Sequence, residues 1–301
     1  MPDFFLRPVY RISPFKTADY SKTIRALNEK NNNQSVINKI KNGYFQYFTA
    51  SGRQAIFIYL EYLNLKKNDE VTILTTTSSF YVSSCVTNTI ERVCKWNREI
   101  TDKTKCIIII HEFGKFYANI HNIKKYNIPI LEDFAHSFSA LYDTKIIQGD
   151  AAIFSLPKFL PINQGGILLS KKNLPIDSDN KYDYLYNKYR NSIYSFIEKR
   201  KEIESIYIKE LKELKELKKL NITPYFNYSK NEAPGAFVFK INKPIEWLQN
   251  LKEYLQSYFI ECSVFYKNEA FFVPCHQELN LEDIVYISNL IKDYIRKNDN
   301  R

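Results

Sequence analysis

The run Cys106-Ile-Ile-Ile-Ile-His111 constrains the fold more than any other stretch of the chain. A short uninterrupted apolar segment, so rich in β-branched residues, suits a strand buried on both faces, as in a parallel sheet covered by helices. Glu70 to Thr75, Ile128 to Glu132, Ala151 to Leu156 and Gly166 to Ser170 read as further strands. Between them lie segments of helical period: Arg53 to Leu65, Tyr81 to Ile90 and His121 to Tyr126. This alternation predicts an α/β layer architecture. A polar helix is also expected near the N-terminus, from Thr17 to Asn42.

The second half changes character. From Ser192 to Leu220 the chain is helical and charge-rich, and its leucines at 211, 214, 217 and 220 recur every three residues. A three-residue repeat drifts by roughly 60° per step around an α-helix, so it makes a poor coiled-coil seam. The expectation is a long solvated helix whose stripe packs on the body of the protein. Strands at Ala236 to Ile241 and Ser263 to Tyr266 flank a helix at Ile245 to Tyr258, and Leu281 to Arg296 forms a closing amphipathic helix. A boundary between about Lys171 and Asp183 divides a large α/β domain, 1–175, from a smaller α+β domain, 176–301.

Composition narrows the partners. With 45% hydrophobic residues over 301 positions the chain can bury a core, which excludes a disordered protein. No apolar stretch reaches membrane-span length and the start MPDFFLRPVYR lacks a signal peptide's apolar run, so we expect a cytoplasmic protein with no membrane span. Five cysteines without a C-x-x-C pair argue against disulfides and a zinc ribbon, and no metal site is expected. The excess of 43 basic over 33 acidic groups, +10, favours an anionic ligand. Nucleic acid bound by the basic helix at 198–220 is a minor reading, since no recognised binding module is present.

Three features of the first half carry chemistry. Ser51-Gly52-Arg53 opens a helix, where free N–H groups and the helix dipole suit a phosphate. Glu132-Asp133-Phe134-Ala135-His136 follows a strand, at the end of a parallel sheet where ligands bind. An Asp there can ligate a metal, act as a base or keep a heteroaromatic nitrogen protonated. Lys158 stands between Pro157 and Pro161, seven positions before Gly165-Gly166. A partly buried lysine has a depressed pKa and can form a Schiff base with an aldehyde. Together these are the parts needed to hold pyridoxal 5'-phosphate (PLP).

Their order resembles the DegT/DnrJ/EryC1/StrS family of PLP-dependent sugar aminotransferases. SGRQAIFIYLEYLNLKKNDEVTI is similar to the family's Ser-Gly-Thr-Ala-Ala helix and Gly-Asp-Glu-Val strand. HEFG and LEDFAHSF resemble its His-x-x-Gly and Glu-Asp-Ala-Ala-His segments, KFLPINQGG its lysine-to-Gly-Gly spacing, and FFVPCHQELNLED its closing Leu-Pro-x-His motif. The resemblance implies fold type I, with a mostly parallel central sheet in the large domain. It implies PLP as cofactor, Lys158 as the Schiff-base lysine, Asp133 as partner of the pyridine nitrogen and His136 packing near the ring. Ser51, Gly52 and Arg53 would contact the phosphate, with Ser155 a further contact to the phosphate or ring oxygen. The family's aromatic residue over the ring falls on Phe80 or Tyr81, of which Phe80 matches better because Ser79-Phe80 resembles its Thr-aromatic pair.

The implied activity is a ping-pong transfer of an amino group, from glutamate as donor, to a keto group of a nucleotide-linked sugar, carried out by a homodimer. The alternative is a non-catalytic member of the same fold that binds a nucleotide sugar or a partner protein. The chain is shorter than typical members, chiefly after Gly166, and Arg53 stands where a small residue or Thr is usual.

Overall fold

The computed structural model describes residues 12, 13, 17, 20–28, 42–216 and 222–298. Its elements are α1 (Tyr20–Asn28), β1 (Phe45–Thr49), α2 (Gly52–Tyr62), β2 (Glu70–Thr75), α3 (Ser84–Glu91), β3 (Lys95–Asn97), β4 (Thr104–Ile110), α4 (Ile120–Lys124), β5 (Ile130–Asp133), β6 (Ala151–Ser155) and β7 (Gly166–Ser170). There follow α5 (Asn180–Tyr189), α6 (Ile193–Glu216), β8 (Thr223–Pro224), β9 (Phe237–Lys240), α7 (Ile245–Ser257), β10 (Ser263–Phe265), β11 (Ala270–Val273) and α8 (Leu281–Asn298).

Seven strands form one sheet in the order β1-β7-β6-β5-β4-β2-β3. β3, β2, β4, β5 and β6 run parallel, while β7 is antiparallel to both β6 and β1. The isoleucine run behaves as its composition demands. Ile107 and Ile109 pack with Ile120 and Ile130, whereas Ile108 packs with Ile56 and Leu60 of α2. Both faces of β4 are therefore covered, and the sheet is mostly parallel, as expected from the sequence.

The remaining strands form a four-stranded antiparallel sheet, β10-β11-β9-β8. Its inner residues Phe237, Phe239, Phe271 and Val273 pack with Leu251 and Leu255 of α7 and Ile287 and Ile291 of α8. A reciprocal cap starts α8: the Asn280 amide donates to Asp283 Oδ2 at 3.0 Å and the Asp283 amide to Asn280 Oδ1 at 2.8 Å.

α6 belongs to both cores. Ile193 and Ile197 lie with Phe154, Leu169 and Tyr182 beneath the large sheet, while Ile203, Tyr207 and Leu211 lie with the small one. Its buried face thus extends well beyond the leucine stripe. The side chain of Leu214 and residues 217–221 lie outside the described residues, as do residues 29–41 of the helix expected from Thr17 to Asn42. Strands β1, β3, β8 and β11 and helix α5 were not anticipated. Among the described residues no helix is long and apolar enough to cross a membrane.

Candidate active site

The parallel strands β2, β4 and β5 end on the same edge of the sheet, and a cavity of about 640 Å³ opens there. The start of α2, the segment 81–86 leading into α3, the chain after β4, the bend after β5 and the loop between β6 and β7 wall it. Crossovers after parallel strands leave such a crevice, because helices on alternate faces draw the connections apart.

Ser51 caps α2. Its side chain accepts from the Gln54 amide at 3.2 Å, which leaves first-turn N–H groups of α2 toward the cavity that Gly52 and Arg53 line. The start of β7 presses against this cap. A side chain at Gly166 would place its Cβ 2.5 Å from the Ser51 carbonyl carbon, and Gly165 adopts a φ of +112°, so the pair is required by sterics and conformation together. The Gly165 amide donates to the Ala50 carbonyl at 2.9 Å, bridging the lysine loop to the helix start.

Asp133 closes β5 and is buried; its Oδ1 accepts from the Ala135 amide at 2.8 Å, the one side-chain hydrogen bond it makes among the described residues. Burial pushes its carboxyl up, and the facing Lys158 ammonium opposes that shift. Lys158 Nζ lies 2.6 Å from His136 Nε2. Burial draws the amine down from the ordinary lysine range, against the pull of Asp133. His136 is held well below its usual value, first by burial and then by the positive charges of Lys158 and Arg200. An imidazole that resists protonation is therefore aimed at an amine lowered by burial, with the Asp133 carboxylate acting on the amine.

Of the eight residues expected at the site, Ser51, Gly52, Arg53, Asp133, His136, Ser155 and Lys158 line this cavity. Phe80 does not. It is 66% exposed, with Lys267 Nζ 4.0 Å from its ring centroid. Its neighbour Tyr81 lines the cavity instead, stacked on Phe113 at 5.5 Å. The bend is set by Glu112, whose carboxylate accepts from the Thr77 amide and hydroxyl, each at 2.7 Å, and from the Ser79 hydroxyl. Glu112 was missed, although its place immediately after the apolar run and beside His111 is a readable signal.

The residues fit PLP. A buried carboxyl with hydrogen-bonding capacity to spare faces a half-buried lysine, and a capped helix start lies across the same cavity. Among the described residues no group of His, Cys, Asp and Glu could hold a metal ion.

A family model described as "Putative PLP-dependent aminotransferase" matches residues 34–299. A UDP-4-amino-4,6-dideoxy-N-acetyl-beta-L-altrosamine transaminase of Campylobacter jejuni is 27% identical over an alignment of 228 residues, and the match covers 58% of this chain and 60% of that protein. The match thus spans less than two thirds of the relative's length. Among solved structures, a "Putative sugar aminotransferase" of Streptococcus pneumoniae in its PLP form superimposes with a TM-score of 0.70 at 16% identity, covering 96% of this chain and 99% of that one. A DegT DnrJ EryC1 StrS aminotransferase of Brucella abortus gives a TM-score of 0.62 at 13% identity, over 83% and 86% of the two chains. At these identities the likeness establishes the fold, and it is the fold that the sequence motifs imply. With the family model spanning nearly the whole chain, this protein belongs to the PLP-dependent aminotransferase family.

Proposed function

We propose that the chain is an aminotransferase that moves an amino group from glutamate to a keto group of a nucleotide-linked sugar. The observation that carries this reading is the Lys158, His136 and Asp133 cluster at the strand ends, set across one cavity from the start of α2. When bound, PLP supplies an aldehyde that takes up an amino group and a ring that withdraws electrons from the carbon bearing it.

The chain's own groups divide the remaining work. Asp133, whose rise on burial is opposed by the facing Lys158, would hold a protonated ring nitrogen. The first turn of α2, with Ser51, Gly52, Arg53 and Ser155, would hold the phosphate. Tyr81, and not Phe80, reaches the cavity and would cover the ring. Lys158, lowered by burial, accepts a proton at Nζ and returns it, and His136 keeps Nζ pointed into the cavity between these transfers. A net charge of +10 favours an anionic acceptor such as a sugar nucleotide. The Campylobacter jejuni relative is a transaminase of a UDP-linked amino sugar, which supports the same acceptor class.

The protein is proposed to work in the cytoplasm as a homodimer, its large and small domains dividing between about Lys171 and Asp183, ahead of α6, whose residues join both hydrophobic clusters. Incubation with PLP followed by borohydride should attach the cofactor to Lys158, as read by peptide mass. Amino transfer from glutamate to a panel of keto-sugar nucleotides should follow, and Lys158→Ala should abolish both. A wild-type protein that stays colourless and unlabelled overturns the reading. Labelling without turnover on any acceptor would favour the binding protein over the enzyme.

A further inference from the structure

Four successive carbonyls, Pro157 to Leu160, are held by groups from distant parts of the chain. Pro157 O accepts from the Thr17 amide at 3.1 Å, and Leu160 O from Thr17 Oγ1 at 2.9 Å. Lys158 O accepts from Arg200 Nη2 at 2.9 Å, and Phe159 O from Gln277 Nε2 at 2.6 Å. Arg200 Nε in turn donates to Gln277 Oε1 at 2.9 Å, so the two side chains form one unit. Arg200 comes from α6 and Gln277 from the chain after β11; the lysine loop is thus gripped from the small-sheet half of the molecule.

Arg200 is 2% exposed, and its guanidinium lies 4.4 Å from the Phe159 ring centroid. Burial pulls it down to about 10, so it stays charged at neutral pH. Among the described residues its hydrogen-bond acceptors are neutral: two main-chain carbonyls, of Lys158 and Pro234, and the Gln277 amide. A buried cation without a paired carboxylate is costly to maintain, and an apolar side chain of similar size would pack there at lower cost. What that apolar side chain could not do is hold the peptide plane after Lys158. Fixing that plane fixes the direction in which the lysine side chain leaves the backbone. After burial and the Lys158 charge, the Arg200 charge also helps hold the His136 imidazole well below its usual value beside Nζ.

We propose that Arg200 and Gln277 are positioning residues, which set the place of the Lys158 amine by gripping the carbonyls of Lys158 and Phe159. The proposal rests on the reading of Lys158 as the cofactor's lysine, yet its test needs no cofactor. Reductive methylation of Lys158 in the PLP-free protein, followed by mass across a pH series, reports the amine's ionisation. The titratable groups that face it are Asp133 from β5, His136 from the bend after it, Cys85 from α3 and Arg200 behind the loop.

In Arg200→Met and Gln277→Leu the amine should drift from its enclosed place and its labelling midpoint should rise toward that of an ordinary lysine. Below the midpoint, labelling then slows about tenfold for each unit of rise. Arg200→Lys keeps the charge but loses the fork, and should fall between. Variants that melt cooperatively near the wild-type temperature with unchanged midpoints overturn the proposal. If Arg200→Met does not fold, Gln277→Leu and Arg200→Lys decide. A wild-type protein that takes no PLP defeats the functional reading and leaves this comparison intact.

Discussion

Glu132 and Asp133 follow one another in β5 and so face opposite sides of the sheet. Glu132 is fully buried, and three partners satisfy its two oxygens. Its Oε2 meets His111 Nε2 at 3.0 Å, and its Oε1 accepts from the Gln148 and Gly149 amides, at 2.6 and 2.5 Å. His111 Nδ1 accepts from the Tyr117 amide, so Nε2 is the nitrogen that donates to Glu132. Asp133, as deeply placed, has a single amide to satisfy it and a cavity in front of it. The same contrast separates the two imidazoles: His111 is locked between partners and stacked on Phe134 at 3.9 Å, while His136 turns to an amine in the cavity. Depth of burial does not distinguish the carboxylate proposed to work from the structural one. Unused bonding capacity beside open space does.

Substitutions can break that contrast. Glu132→Leu removes the acceptor of three donors, and should cost about 3–5 kcal/mol of stability in a urea titration, as when a buried pair loses one partner. Its turnover per folded molecule should change little. Asp133→Asn is expected to do the reverse, lowering turnover by roughly 10²- to 10³-fold while the urea midpoint barely moves. If both variants lost stability and activity in parallel, the two faces of β5 would not be functionally distinct. Ser51→Ala sharpens the picture from a residue with both duties: losing the cap should cost about 1 kcal/mol, with weaker retention of PLP in dialysis as the second readout.

Much of this was legible in the chain because periodicity and punctuation agreed. β2 and β7 fall where their residues predict, since Asn68-Asp69 and Gly165-Gly166 mark their starts. The α2 cap and the strand-end acids were readable for the same reason. β1 was not: Asn42-Gly43 marks a turn just before it, but its antiparallel partner β7 lies more than a hundred residues away. β3 is an edge strand of three mostly exposed residues, too short for a pattern. Phe80 and Tyr81 differ by one position in an irregular bend, where only tertiary anchors such as Glu112 decide which ring turns inward. Arg200 sits among Lys199, Lys201 and Glu202 in a helix that reads as solvated, and nothing in one dimension separates it from its neighbours.

The bridge from Ala50 to Gly165 makes the cavity a gauge. The helix start and the lysine loop are main-chain neighbours, pinned by a hydrogen bond and by a glycine that admits no extra atom between them. Their separation cannot be adjusted by turning a side chain. If, as proposed, the helix start takes an anion and Lys158 a carbonyl, the main-chain part of the span between them is set before a ligand arrives, and only the lysine side chain is left to adapt.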